Sequence, residues 1–254
     1  MSFNTWTPDE LSSRAEAFLS RCWRIVEAQH QASTMKLTDT LEDQNILEQT
    51  IETTKPRTPT GCETLDFLLM SPFRYSATNP FGSRFRRPNS PLGVFYASEH
   101  AATAIAEKAF YRLLFYAESP ATPFPRNPGE YTAFAAELAG DRSLDVTVAL
   151  FANDSLLSHL SDYSHSQAFA DVAREANIAM IRYSSLRDPE RRSNFAVLSP
   201  AAFAKPDPVG RQSWRLHVDA NGVRAACESP RVLIAFDRTA FSADPRLQDF
   251  RWTR

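Results

Sequence analysis

Between Arg74 and Arg112 the chain reads RYSATNPFGSRFRRPNSPLGVFYASEHAATAIAEKAFYR. Four arginines (Arg74, Arg84, Arg86 and Arg87) and two tyrosines (Tyr75 and Tyr96) precede Glu107, a carboxylate on a segment with the spacing of an amphipathic helix. Six basic against two acidic residues give this stretch a charge of +4, in a chain whose net charge is −2. Guanidinium forks match phosphate oxygens bidentately, and tyrosine faces stack on flat rings. The set suits a phosphate-bearing ligand with a planar ring, such as a dinucleotide. On residue types alone, a solvated basic loop before an ordinary helix explains it equally well.

Several elements must carry these residues. Thr7-Pro8-Asp9-Glu10 is a helix start, with Thr7 as cap, Pro8 in the first turn and Glu10 completing a capping box. Leu11, Ala15, Phe18, Leu19, Cys22 and Val26 continue at helical spacing, although residues 22–26 also fit a short strand. A second amphipathic helix is predicted over 36–52. Residues 1–56 hold nine acids and five bases, a mostly helical and acidic extension. Residues 57–69 read as a linker and a short helix capped by Thr60 and Glu63, and residues 70–254 as the main domain. There, strands are predicted at 73–76 and 94–97. Ser98 caps a helix over 99–117, and a proline-rich loop fills 118–130. Strands follow at 131–138, 144–150, 178–183, 195–198 and 231–236, with helices at 155–160 and 166–176. Asn221-Gly222 between alternating runs is the signature of a type I′ hairpin. Many short strands and few helices, without regular alternation, predict an α+β fold.

Composition excludes much else. The near-neutral charge argues against direct nucleic-acid binding. Three dispersed cysteines, Cys22, Cys62 and Cys227, form no C-x-x-C pair, which fits reduced thiols and a cytoplasmic setting. The N-terminus lacks a secretory pattern, and no stretch approaches the ~18 apolar residues of a membrane span. Seven separated glycines give no G-x-G-x-x-G or phosphate-binding loop. His159 and His165 lack further ligands at metal-binding spacing, so no metal is expected. There is no G-x-S-x-G elbow.

The ordered motifs resemble the RES domain, a family of bacterial toxins that degrade NAD⁺ and take their name from an Arg, a Glu and a Ser. The family's Arg-Tyr pair corresponds to Arg74-Tyr75, its turn to Ser83-Arg84-Phe85, its strand-end triplet to Tyr96-Ala97-Ser98, and its glutamate to Glu107. Ser185 matches the serine, and Asn194-Phe195-Ala196-Val197 the following asparagine and strand. Arg24, in Trp23-Arg24-Ile25, is a rival for the strand arginine. Arg74 is favoured because it lies next to the Ser83–Phe85 turn. Two departures stand out: one glycine, Gly82, where many members have a pair, and Phe85 where many have Trp. The resemblance covers about residues 70–240.

It implies an ADP-ribosyltransferase-like core of short mixed and antiparallel sheets around a cleft, with NAD⁺ as substrate and no resident cofactor. Nicotinamide in NAD⁺ is already cationic and leaves neutral, so the second carboxylate of ordinary glycosidases is not needed. Glu107, Arg74 and Ser185 are then the catalytic candidates. Arg84, Tyr75, Tyr96, Arg86 and Asn194 are the substrate-binding ones. Arg86 or Arg87 holding inorganic phosphate would make the enzyme a phosphorylase instead of a hydrolase. A mono-ADP-ribosyltransferase and a non-catalytic binding domain are the alternatives. The family also implies an Xre-type antitoxin partner, with homo-oligomer formation left open. Arg187-Asp188 reads as an ordinary turn pair.

Overall fold

The computed structural model describes residues 6–28, 37–75, 80–148, 151 and 155–253. The fold is α+β, as expected, with eight strands among the described residues, in one mixed sheet ordered β1-β2-β5-β4-β3-β6-β7-β8. The strands are β1 (Glu16–Glu27), β2 (Phe95–Ser98), β3 (Gly129–Asp145), β4 (Met180–Ser184), β5 (Ser193–Val197), β6 (Gly210–Asp219), β7 (Gly222–Cys227) and β8 (Val232–Phe236). The helices are α1 (Pro8–Ser13), α2 (Leu41–Thr54), α3 (Phe67–Arg74), α4 (Ala101–Glu118) and α5 (Ser164–Glu175).

The N-terminal region departs most from expectation. Its helix forms with the capping box intact: Glu10 N–H donates to Thr7 Oγ1 at 3.3 Å and Thr7 N–H to Glu10 Oε2 at 2.8 Å. It stops at Ser13, and the chain becomes the long strand β1. The ambiguity lies in the spacing. Phe18, Cys22 and Val26 are four apart, and four residues satisfy the helical period and twice the strand period. The strand prevails because its other face is apolar too. Phe18, Cys22 and Val26 pack with Phe95 and Phe134, while Trp23 and Ile25 pack against α4. The region expected to be mostly helical therefore supplies a central strand.

β1 pairs antiparallel with β3 along nearly its whole length, and Trp23 also pairs with Ser98 of β2. β1, β2, β5, β4 and β3 thus close a circuit of neighbours, broken in character by the single parallel pair β3–β4. The strand expected at 131–138 runs on unbroken into the start of the one expected at 144–150, forming β3; residues 146–148 are a turn, and 149–150 lie outside the described set. Its first half pairs with β6, and its last three residues with β4.

Other expectations shift locally. Residues 73–75 are not a strand: Asp66 caps Leu68 N–H at 2.8 Å and starts α3 there, which buries Leu69, Met70 and Phe73; Ser76 lies outside the described residues. Ser98 ends β2 instead of capping α4, whose cap position is His100. The helix expected at 155–160 is a 3-10 turn, Ser155–Ser158. In the β6–β7 hairpin the loop is Ala220-Asn221, closed by the Asp219–Gly222 pair. Neither loop residue has positive φ, so the turn is not type I′; Gly222, at φ 136, takes the unusual backbone just after it.

Three apolar clusters surround the sheet. One lies between α4 and β6–β8, one beneath α1 and α5, and one between α3 and the inner faces of β2, β3 and β5. The third buries Phe95, Phe134 and Phe195 completely, each worth about 1.5–3 kcal/mol relative to exposure. This layer fixes β2 and β5, the strands that present Tyr96 and Asn194. All three cysteines are buried and unpaired. No described helix is long and apolar enough to cross a membrane.

Candidate active site

Where β1 meets β2, the sheet and α4 enclose a cleft of about 290 Å³, near the lower end of ligand-pocket sizes, roughly 300–1,000 Å³. Glu107 enters it from the middle of α4, whose opposite face is anchored by Ile105, Ala109 and Leu113. Its carboxylate is held on one side only. Oε1 accepts the Ser185 hydroxyl at 2.7 Å and the Asn194 Nδ2 amide at 2.7 Å. Oε2 has no hydrogen-bond partner among the described residues. The amide orientation of Asn194 is fixed independently, since its Oδ1 accepts from Ser98 Oγ at 2.7 Å. Ser98, Asn194, Ser185 and Glu107 form a continuous chain from β2 through β5 and the end of β4 to α4.

The Ser83–Phe85 turn forms a second wall. Ser83 and Arg86 exchange both backbone bonds, Ser83 N–H to Arg86 O at 2.8 Å and Arg86 N–H to Ser83 O at 3.2 Å. Gln167 of α5 braces both carbonyls. Glycine is required at 82, because a Cβ there would lie 2.8 Å from Gln167 Nε2 and 2.9 Å from Pro88 Cδ. Tyr96 reaches this turn with its hydroxyl, which accepts Phe85 N–H at 2.9 Å and shares a bond with Ser83 Oγ at 2.8 Å. Burial pushes the Tyr96 phenol above its ordinary pKa, so it stays neutral.

Two arginines face the cleft without a carboxylate partner among the described residues. Arg84 is 6% exposed, its Nη1 donates to Leu157 O at 2.8 Å, and it lies over the Tyr163 ring at 4.9 Å. Its Nη2 is buried and unpartnered. Arg24, on β1, donates from Nη1 to Tyr96 O at 2.7 Å and lies over the Phe95 ring at 5.1 Å. Burial lowers its pKa to about 10, leaving it cationic at neutral pH. Arg84 is buried and Arg24 half-buried; a cation so placed is costly unless an anion completes it, so both are suited to an anionic ligand.

The expected site residues therefore divide. Glu107, Arg84, Tyr96 and Asn194 line the cleft, and Ser185 stands directly behind the carboxylate. Arg74 and Tyr75 do not line it. Arg74 ends a helix, donates from Nε to Pro56 O at 2.6 Å and pairs with Glu52 at 2.7 Å, tying α3 to α2 and the linker. Tyr75 packs edge-on against Phe67. The strand arginine at the cleft is the rival Arg24. Arg86 is buried inside its own loop, bonded to the carbonyls of Phe81 and Ser90. Arg87 lies outside the cleft and pairs with Asp171 at 2.5 Å. Neither Arg86 nor Arg87 is placed to hold a phosphate in the cleft.

Sequence reading missed Lys108, Tyr111, Tyr163, Tyr183 and Arg187, which also line the cleft. Lys108 and Tyr111 follow Glu107 by one and four positions on α4, so helical spacing pointed to Tyr111. Nothing in the sequence pointed to Tyr163, which sits at the start of α5. Among the described residues, no cluster of three or more His, Cys, Asp or Glu could hold a metal ion.

The fold is thus an α+β one in which a mixed sheet and α4 enclose a cleft around a carboxylate held by a serine and an asparagine. The chain belongs to the RES domain family, whose model matches residues 57–219. β1, which brings Arg24, precedes that segment, and β7 and β8 follow it. No curated protein matches the chain. The crystal structure of the M. tuberculosis MbcT–MbcA toxin–antitoxin complex contains a chain similar over 80% of this one and 89% of its own length, at 12% identity and a TM-score of 0.48.

Proposed function

We propose that the chain is an NAD⁺-consuming toxin that breaks the bond between nicotinamide and ribose. The observation that carries this reading is the Glu107 carboxylate, fixed through Oε1 by Ser185 and Asn194, with Oε2 unpaired in a cleft lined by tyrosines and two unpaired arginines. Membership of the RES domain family supports it, as does the ADP-ribosyltransferase-like architecture that the family implies.

As the C–N bond breaks, its electron pair moves to the nicotinamide ring nitrogen. The cationic ring leaves neutral and the sugar becomes oxocarbenium-like. Glu107 stabilises the positive charge that develops there. A preorganised charge of this kind acts most strongly in a site shielded from water. The unpaired Arg84 Nη2 and Arg24 suit the pyrophosphate, and Tyr111, Tyr163 and Tyr183 supply aromatic surface for the leaving ring. Water completes hydrolysis to ADP-ribose and releases a proton. Inorganic phosphate in its place gives ADP-ribose-1″-phosphate.

Incubation with NAD⁺ in buffers with and without phosphate, with nicotinamide and the ADP-ribosyl product both followed, tests the reading. Release of nicotinamide is expected. No release in either buffer, by protein freed of any partner, overturns it. The family also supports a neutralising Xre-type antitoxin, which would act by covering the cleft.

A further inference from the structure

The Glu107 carboxylate is only as well placed as its donors. The Ser185 hydroxyl has one proton, and its oxygen already accepts Asp188 N–H at 3.1 Å and Arg187 N–H at 3.3 Å. Its acceptor capacity is filled by the turn, so its proton is directed to Glu107 Oε1. The position of Ser185 therefore depends on the turn between β4 and β5, residues 185–192, which has no regular structure and includes Arg191 at φ 54.

Asp188 organises that turn. Its side chain is buried, 1% exposed, and fully bonded. Oδ1 accepts Arg192 Nη2 at 3.0 Å and Glu190 N–H at 3.1 Å, and Oδ2 accepts Arg192 Nε at 2.6 Å. The remaining bond to Oδ2 comes from outside the turn: Thr103 Oγ1 donates to it at 2.6 Å. Thr103 is fully buried and lies on α4 one helical turn before Glu107. Arg192 already neutralises the Asp188 carboxylate with a two-bond fork. The Thr103 contact thus adds little to charge pairing, but it fixes the distance between the turn and the helix.

The bonds form a closed loop, from Glu107 to Ser185, through the turn to Asp188, across to Thr103 and back along one turn of α4. We propose that Asp188 and Thr103 are positioning residues, a clasp that holds the Ser185 donor against the catalytic carboxylate. This rests on the reading of Glu107 given above. Relaxing the clasp frees the serine from its donor geometry; of the cleft lining, Arg187 stands on the same turn, and its guanidinium is held from outside the turn by Leu160 O at 2.9 Å and the Tyr163 hydroxyl at 3.0 Å.

The test is kinetic, on the full chain, with nicotinamide release as readout. Thr103→Val keeps the shape and removes the bond, and Thr103→Ser keeps the bond. Thr103→Val is expected to lower kcat by on the order of 10–100-fold, as small misplacements of catalytic groups do. KM for NAD⁺ should change less than about twofold, and Thr103→Ser should retain near wild-type kcat. In a Ser185→Ala background, Thr103→Val should cost nothing further, because residues acting through one group are not additive. Asp188→Asn should behave like Thr103→Val; should it fail to fold, the threonine pair carries the test alone. Wild-type kcat in Thr103→Val, a change in KM alone, or the same loss with and without Ser185 each overturns the clasp. Unchanged turnover by Glu107→Gln overturns instead the reading beneath it, and absence of turnover by the wild type overturns both.

Discussion

Asn194 Nδ2 lies 2.7 Å from Glu107 Oε1, joining β5 to α4 across 87 residues of sequence. The bond is directional, because Ser98 occupies the other end of the amide and leaves Asn194 only a donor to offer. A carboxylate with both donors on one oxygen presents the other to a ligand. Glu107→Gln keeps this frame, since the amide oxygen still accepts from Ser185 and Asn194, and removes only the charge. Nicotinamide release is expected to fall by on the order of 10²–10³. The thermal midpoint should stay within a few degrees of wild type, which calorimetry on the same preparation checks.

The two arginines that competed for one role should separate experimentally. Arg24→Met is expected to weaken NAD⁺ binding with little loss of fold, because the flexible thioether can take the guanidinium's place over the Phe95 ring. Arg74→Ala should instead lower stability by about 1–2 kcal/mol, by breaking the bonds to Pro56 O and Glu52, and leave kcat/KM of the folded protein unchanged. Urea titration and NAD⁺ kinetics on both variants decide it. A kinetic defect in Arg74→Ala would contradict the placement seen here.

That contrast shows what the sequence could convey. Glu107, Tyr96 and Asn194 sit on a helix and strands that local patterning reveals, while Arg84 and Ser185 lie on turns and are legible through the ordered motifs around them. Arg74 lies outside the cleft because nearness in sequence to the Ser83–Phe85 turn does not bring it near in space: α3 directs it to Pro56 and Glu52. Arg24 was obscured by a spacing of four, which helix and strand share, and the pairing that settled it comes from β3, more than a hundred residues away. Tyr163 and Arg187 reach the cleft through loop geometry that no periodicity encodes.

Acid should destabilise the protein through one part-buried and two buried aspartates. Burial works to raise the pKa of Asp145, Asp188 and Asp244. Bonds from Thr147 and Arg182, from Arg192 and Thr103, and from Arg246 outweigh it and leave all three below the ordinary value of 3.8. Their contribution is therefore complete above the unfolded-chain pKa near 3.8 and is lost as pH falls through the lower folded values. In that window the unfolded state binds more protons, so stability rises with pH. Urea midpoints should hold steady above about pH 5 and drop steeply below about pH 4. Asp145→Asn should be less stable at neutral pH and show a shallower drop.

Tyr96→Phe isolates a hydroxyl whose role is mechanical. The ring stays in place, but Phe85 N–H and Ser83 Oγ lose their shared partner, and Phe85 is almost wholly buried. Leaving that amide unpaired costs about 1–3 kcal/mol, and the turn has a way to recover part of it by shifting toward water. Arg84 lies between those two residues, so the shift carries its guanidinium away from Leu157 O and the Tyr163 face. The expected signature is a KM for NAD⁺ raised about tenfold with a smaller change in kcat, since Glu107 and its donors stand on other elements. An equal fall in kcat with KM unchanged would instead place the Tyr96 hydroxyl at the reacting centre. Steady-state kinetics on the variant, with unfolding followed in parallel, tells the two apart.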